Sequence, residues 1–170
     1  MNGPRAFRNP PPAERPKTPD RSYGVPRRGG EMVDWPVVVE RLTAARNYWV
    51  ATVRSDGRPH TAPIWGVFVD DDLFLETSPK TLKARNIARR PQVSVHVELG
   101  DDALIVEGEA SDFRPDPDLG RAIAAAFAAK YAGYEPAPDA WDSGSLYLIV
   151  PHTVLAWYAM PTATRWRFRS

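Results

Sequence analysis

The sequence predicts an α+β domain built on a mainly antiparallel sheet that closes as a meander or small barrel, with helices at its periphery. Strand-like runs are joined by tight hairpin signals, Ser55-Asp56-Gly57 and Asp70-Asp71-Asp72. Three amphipathic helical stretches fall between groups of strands instead of alternating with single strands. The resulting order is helix, three strands, helix, two strands, helix, then one or two strands. That order does not repeat the strand-helix unit of a doubly wound sheet.

Residues 1–34 stand apart. Residues 1–31 hold seven of the 18 prolines, including Pro10-Pro11-Pro12, and seven Lys/Arg against three Asp/Glu. Almost no apolar periodicity accompanies them, so the expectation is a disordered or polyproline-like basic tail, either solvated or a weak electrostatic tether. The domain proper spans 35–170. Asp34 is placed to cap a helix over 35–45, with Pro36 in its first turn and Trp35, Val38, Val39, Leu42 and Ala45 at helical spacing. Strands are predicted over 48–54, 58–70 and 73–77. A second helix is predicted over 79–90, with Ser78 as its cap and Pro79 as its first residue. Strands over 92–98 and 103–113 flank a turn at Gly100-Asp101-Asp102. Asp116 or Asp118 opens a third helix, in which Leu119, Ile123, Phe127 and Tyr131 recur every four residues. The final strand, 145–159, is expected to break or bend at Pro151.

The second strand has an unusual pattern. Ala62, Ile64, Gly66 and Phe68 form one face, and Pro63, Trp65, Val67 and Val69 form the other. Both are apolar, so the second face is expected to meet a partner subunit, a flat ligand or a helix packed over it.

Composition removes several chemistries. The chain has 170 residues, 43% of them hydrophobic and 25% charged, which are ordinary values for one globular domain. It has no cysteine and only three histidines, His60, His96 and His152, without metal-ligand spacing. Thiol catalysis, disulfides and thiolate metal sites are excluded, and no metal is expected. No apolar run reaches about 18 residues and no signal-like segment opens the chain, so a cytoplasmic protein without a membrane partner is expected. The basic excess lies in the tail, which gives no reason to expect nucleic-acid binding. Phosphate-loop, nucleophile-elbow and dinucleotide-binding glycine motifs are missing, and the acidic clusters lie at turns.

One segment stands out. Between Lys80 and Arg90 there are five cations and no acid. Arg89 and Arg90 suit a helix C-terminus, but Lys80 and Lys83 fall near its start, where the helix dipole disfavours them. With the hydroxyls beside them and free backbone N–H groups, they form a candidate oxyanion site, most simply for phosphate. Trp65, following Pro63, lies on the strand next to the one feeding this helix. An apolar strand surface ending at a cationic helix start suits a flat conjugated ligand with a phosphate-bearing tail.

These segments, namely Tyr48 to Arg54, GRPHTAPIWGV at 57–67, LFLETS at 73–78, LKARNIARRPQVSVHVE at 82–98 and TATRWRF at 162–168, together resemble the pyridoxamine 5'-phosphate oxidase-like superfamily. The resemblance implies an FMN-binding split β-barrel and a homodimer with its cofactor between subunits. Thr77-Ser78-Pro79-Lys80-Thr81-Leu82-Lys83 stands where the oxidases carry Thr-Asn-x-x-Ser-Arg-Lys. Thr77 and Lys83 match and Thr81 is conservative, but Leu82 replaces the phosphate-binding arginine. Pro63, Ile64 and Trp65 stand where the oxidases have basic residues. These departures resemble the branch that binds the deazaflavin coenzyme F-420, where a lysine before an Ala-Arg-Asn helix run is common.

The resemblance to that branch implies that Lys83, Lys80, Thr77, Ser78 and Thr81 hold the coenzyme phosphate. Pro63, Ile64 and Trp65 would line its ring, and Trp157, Arg165 and Trp166 would reach it across a dimer. The implied activity is hydride transfer between the deazaflavin and a small organic substrate. The alternatives are an FMN-dependent oxidase or reductase of the same fold and a non-catalytic flavin, deazaflavin or haem binding protein. No side chain is singled out as catalytic, because the cofactor carries the redox chemistry.

Overall fold

The computed structural model describes residues 4–18, 21–97 and 102–168. Helix α1 (Trp35–Ala44) leads into β1 (Tyr48–Val53), β2 (Pro59–Val69) and β3 (Asp72–Glu76). Helix α2 (Leu82–Arg89) precedes β4 (Gln92–Val97) and β5 (Ala103–Asp112), and α3 (Pro117–Lys130) precedes β6 (Leu146–Trp157) and β7 (Thr164–Arg167). The sheet runs β3-β2-β1-β4-β5-β6-β7 with every pairing antiparallel, and a further β3–β6 pairing closes six of its strands into a barrel. β6 serves two neighbours on one side. Residues 146–149 pair with β3, and residues 153–156 pair with β7.

Local chemistry explains the joints. Asp70 and Asp71 both adopt left-handed backbone, at φ 52° and 63°, which turns β2 into β3 in the two-residue form whose twist matches the strands. At the centre of β2, a Cβ on Gly66 would lie 2.6 Å from the Phe74 carbonyl oxygen, so only glycine admits that approach. Asp116 caps α3, its carboxylate accepting the N–H groups of Asp118 at 3.0 Å and Leu119 at 2.9 Å. The bend expected at Pro151 takes the form of a bulge: Glu107 pairs with Thr153 and Gly108 with Pro151, leaving His152 as the extra residue. The turn expected at Gly100-Asp101-Asp102 lies largely outside the described residues.

Two apolar clusters fill the fold. Val50, Ile64, Leu73, Leu75, Val95, Val106, Ile149 and Val154 belong to the barrel cluster. Leu119, Ile123, Phe127 and Tyr131 of the α3 region pack with Val67 and Phe74 in the second. The strict four-residue step in α3 therefore marks the stripe it buries. α3 covers Val67 on the second face of β2, while Pro63 and Trp65 on the same face stay exposed.

The N-terminal segment departs from the solvated tail expected of its composition. Phe7 is fully buried, with its ring centroid 5.5 Å from that of Phe68, 6.2 Å from Phe168 and 6.4 Å from Trp35. Arg5 and Ala6 donate their N–H groups to the buried Asp72 carboxylate, at 2.8 and 2.7 Å. Glu14 exchanges both backbone hydrogen bonds with Arg165. The Arg15 guanidinium binds the carbonyls of Gly29, Glu31, Pro161 and Ala163. A single aromatic anchor and a few backbone partners fix this stretch without periodicity, and for that reason composition misjudged it.

Candidate functional site

β3 ends at Glu76 and α2 begins at Leu82, and the five residues between them form a hydroxyl-rich loop. The Thr77 N–H donates to the Ser145 carbonyl at 2.9 Å, which ties the loop to the start of β6. Thr77 Oγ1 lies 3.2 Å from Thr81 Oγ1. Thr81 Oγ1 donates to the Ser78 carbonyl at 2.9 Å and accepts the Ala84 N–H at 3.3 Å. The Lys80 N–H reaches Ser78 Oγ at 3.3 Å. The helix cap is therefore Thr81, not the expected Ser78. Pro79 belongs to the preceding turn, so the helix starts three residues later than the Ser78–Pro79 cap signal suggested. Leu82 and Lys83 fall in the first helical turn, where backbone N–H groups have no intrahelical acceptor. Lys80 is exposed and Lys83 half-buried, and among the described residues neither has a carboxylate partner. The loop and the first turn of α2 thus carry three hydroxyls and two lysines without a carboxylate partner among the described residues, a set suited to a phosphate.

The ladder carries this loop to Trp65. Trp65 pairs with Glu76, so the indole lies across the strands from the residue before Thr77. It is 43% exposed and stacks on Tyr131 at 4.3 Å between centroids and 13° between planes, with Tyr134 at 5.5 Å. The Tyr134 hydroxyl donates to Glu76 Oε1 at 2.5 Å. Burial raises the Glu76 carboxyl above the usual range, partly offset by the hydrogen bond from Tyr134. Burial and the Glu76 charge push the Tyr134 hydroxyl up as well. Tyr131, Tyr134 and Glu76 were missed as neighbours of Trp65. Tyr131 was visible only as the last apolar step of α3, and Glu76 only as a strand end.

On the other side of the loop, Pro79, Ile87, Ser111, Ser145 and Tyr147 line part of a groove of about 460 Å³. Ser145 holds left-handed backbone at φ 93° next to it, an unfavourable conformation for a residue with a side chain.

The other expected positions divide. Pro63 is exposed beside Trp65, but Ile64 is 4% exposed and points into the barrel, because successive side chains on a strand face opposite sides. Ile64 therefore lines no surface site. Trp166 is 2% exposed, its ring 5.2 Å from that of Trp35, so the expectation that it reaches a cofactor is corrected: it is core. Arg165 is engaged by Glu14 at 2.8 Å. Trp157 lies at the far end of β6 from Leu146, the residue paired with Glu76, which places it roughly 35 Å along the strand from the loop. One protomer does not bring Trp157 and Arg165 to Lys83.

A row of side chains crosses the outer face of the barrel, from Pro63 through Trp49, His96 and Ile105 to Leu155, each paired with the next. The rings of Trp49 and His96 stack at 6.3 Å and 4°.

A closed six-stranded antiparallel barrel with three helices places the chain in the split-barrel fold class. The sequence profile of the pyridoxamine 5'-phosphate oxidase family matches residues 35–158, and the chain belongs to that family. No curated protein matches it by sequence. Among solved structures it is similar to a conserved hypothetical protein from Mycobacterium tuberculosis, with TM-score 0.64 and 24% identity over 79% of this chain and 90% of that one. It is also similar to an F420 reductase, with TM-score 0.50 and 29% identity over 66% and 91%. The haem storage protein HutZ from Vibrio cholerae shares the fold, with TM-score 0.55 and 22% identity over 68% and 88%. Among the described residues no helix is long and apolar enough to cross a membrane, and no group of His, Asp and Glu is arranged to hold a metal.

Proposed function

We propose that the protein is a cytoplasmic oxidoreductase that uses the deazaflavin coenzyme F-420 to reduce a small organic substrate. The carrying observation is the pairing of Trp65 with Glu76, which sets an exposed indole beside the hydroxyl and lysine loop. The loop fits a phosphate group: Thr77 and Thr81 hydroxyls converge, and Lys80 and Lys83 have no counter-charge there. Lys83, Lys80, Thr77, Ser78 and Thr81 would hold the phosphate, and Trp65 with Pro63 would lie against the ring. The coenzyme supplies the hydride when bound. The chain's own part is to position, to neutralise the phosphate and to exclude water. The likeness to an F420 reductase supports the choice of coenzyme.

The reading includes a homodimer with the cofactor between subunits. The row from Pro63 to Leu155 supports it, because an exposed proline followed by half-buried Trp49, His96, Ile105 and Leu155 suits a partner subunit. Trp157, and Arg165 if released from Glu14, would reach the cofactor only from the partner.

The test is to record the visible spectrum of the purified chain and then titrate FMN and the deazaflavin separately against tryptophan fluorescence. Saturable quenching by the deazaflavin, with turnover of a reducible substrate, is expected. Tight binding of FMN alone would replace the coenzyme assignment with an FMN-dependent oxidase or reductase. A bound flavin, deazaflavin or haem that no substrate turns over would make the protein a carrier.

A further inference from the structure

Lys130, the last residue of α3, lies away from the loop described above. Its ammonium donates to the Gly66 carbonyl at 2.8 Å and to the Tyr48 hydroxyl at 3.2 Å. It also sits 4.7 Å from the centroid of the Tyr48 ring and 5.8 Å from that of Tyr131. The charged group whose field acts on it is another cation, Arg46. Arg46 lies over the Tyr131 ring at 5.1 Å and binds the Lys130 carbonyl. The titratable and charged groups facing the amine are Tyr48 from β1, Tyr131 from the end of α3 and Arg46 from the α1–β1 link, while β2 offers only backbone. Among the described residues no carboxylate pairs with it.

The same lysine forms one wall of a cavity of about 250 Å³, otherwise lined by Thr43, Val67, Phe68, Ala126 and Ala129. It is open to solvent at Thr43 and Ala129, and its volume admits a ring bearing a small substituent. Its lining residues include one with a hydroxyl, one with an amine and no acid.

We propose that Lys130 is the nucleophile of a second ligand site, distinct from the phosphate loop, which takes small apolar aldehydes as a reversible imine. The amine nitrogen attacks the carbonyl carbon, a C–N bond forms, and the carbinolamine loses water. No electron changes hands and no further reactant is needed. A lysine without a carboxylate partner, half-buried beside a second cation, is the arrangement that leaves far more of the amine unprotonated near neutral pH than an ordinary lysine has. Burial, and after it the charge of Arg46, lower the Lys130 pKa from its ordinary value to about 8. The partners of the amine survive its conversion. The Gly66 carbonyl lies 3.1 Å from the Tyr131 hydroxyl, whose nearer acceptor is the Arg46 carbonyl at 2.8 Å, and the Tyr48 hydroxyl still donates to the Leu42 carbonyl. A protonated imine also keeps one N–H for Gly66.

The chain has only four lysines, Lys17, Lys80, Lys83 and Lys130, which makes the test clean. The full-length protein is treated with limiting benzaldehyde and cyanoborohydride across a pH series, and each lysine peptide is quantified by mass spectrometry. A parallel series uses formaldehyde, which needs no cavity. Lys130 is expected to label roughly tenfold or more faster than Lys17 with both reagents, because an ordinary lysine stays protonated until about pH 10. Its rate should rise with a midpoint near the value of about 8. Ala126→Leu, which fills the cavity, should slow benzaldehyde several-fold and leave formaldehyde unchanged. Labelling of Lys130 no faster than Lys17 would overturn the nucleophile. Fast labelling by formaldehyde without fast labelling by benzaldehyde, or equal slowing of both by Ala126→Leu, would overturn the site.

Discussion

The carboxylate of Asp72 accepts the backbone N–H of Ala6 at 2.7 Å, joining the first residues of the chain to the start of β3. Asp72 is fully buried, and Phe7, one residue beyond Ala6, fills an aromatic nest of Trp35, Phe68 and Phe168. The segment that precedes the family-matched region is therefore part of the fold it appends to. Phe7→Ala is expected to cost about 3–5 kcal/mol, the range for emptying a buried aromatic site. Asp72→Ala leaves two amides without an acceptor and is expected to cost about 1–3 kcal/mol. Deletion of residues 1–31 should lower the denaturant midpoint at least as far as Phe7→Ala. A midpoint unmoved by the deletion would return the segment to the solvated appendage its composition suggests.

Thr81 and Lys83 separate stability from binding. Thr81→Ala removes the α2 cap and should cost about 0.5–2 kcal/mol in a thermal or denaturant melt. Lys83→Ala touches no described ion pair, so its stability should stay within about 0.5 kcal/mol of the parent. Under the proposed function, Lys83→Ala weakens deazaflavin binding roughly tenfold, by loss of a charge-assisted contact to phosphate. Fluorescence titration of both variants measures this. Unchanged affinity in Lys83→Ala would remove the phosphate assignment.

Trp65 and Trp166 should behave as opposites. Trp65 is 43% exposed and Trp166 2% exposed. Trp166→Ala is expected to destabilise by about 3–5 kcal/mol. Trp65→Ala should have a much smaller effect on the melt, while removing most of the ligand-induced quenching of tryptophan fluorescence. If Trp166→Ala abolished quenching without a change in stability, the assignments of the two residues would be reversed.

Gly108 sits at the β5–β6 bulge, where an added Cβ would lie 2.1 Å from the Val150 carbonyl oxygen. Backbone cannot yield as a flexible side chain does, so Gly108→Ala must open the ladder locally. A loss of about 1–3 kcal/mol is expected. Amide exchange should quicken along residues 148–154 while the β1–β2 pairing stays protected.

Lys130 predicts a pH dependence of stability. Its folded pKa, about 8, lies below its unfolded value, so between the two the unfolded chain binds more protons. The contribution of Lys130 to stability therefore rises with pH from about 8 toward the ordinary lysine range, and below about 8 it is level. Lys130→Met should flatten that rise in a denaturant series. A variant whose profile still rises like the parent's would show that another group carries it.

The hairpins β1–β2, β2–β3 and β4–β5 were legible because each joins neighbouring runs across a short turn, whereas the β1–β4, β5–β6 and β3–β6 pairings join distant parts of the chain and were not. Asp70-Asp71 tolerates the left-handed turn it makes, and the four-residue step fixes the buried face of α3. The loop at 77–81 was legible in residue type, since hydroxyls and lysines without acids are a chemical signature wherever the helix begins. The helix start was misplaced because Pro79 satisfies the rules for a first helical residue as well as those for a turn. Thr81 wins by supplying a cap to Ala84.

By itself, the sequence determined the class of fold, the absence of thiol chemistry, and the cluster of cations at the start of α2. Tertiary structure alone decided which of those residues face a common space. Ile64 and Trp65 are adjacent in the chain and opposite in the barrel, because a strand sends successive side chains to opposite faces. Within one protomer Trp157 and Lys83 do not come together, because β6 spends its first half on β3 and its second on β7. Phe7 became core because closure of the barrel left an aromatic nest that one ring from a polar segment could fill. Burial depends on what lies across the chain, which local composition does not record.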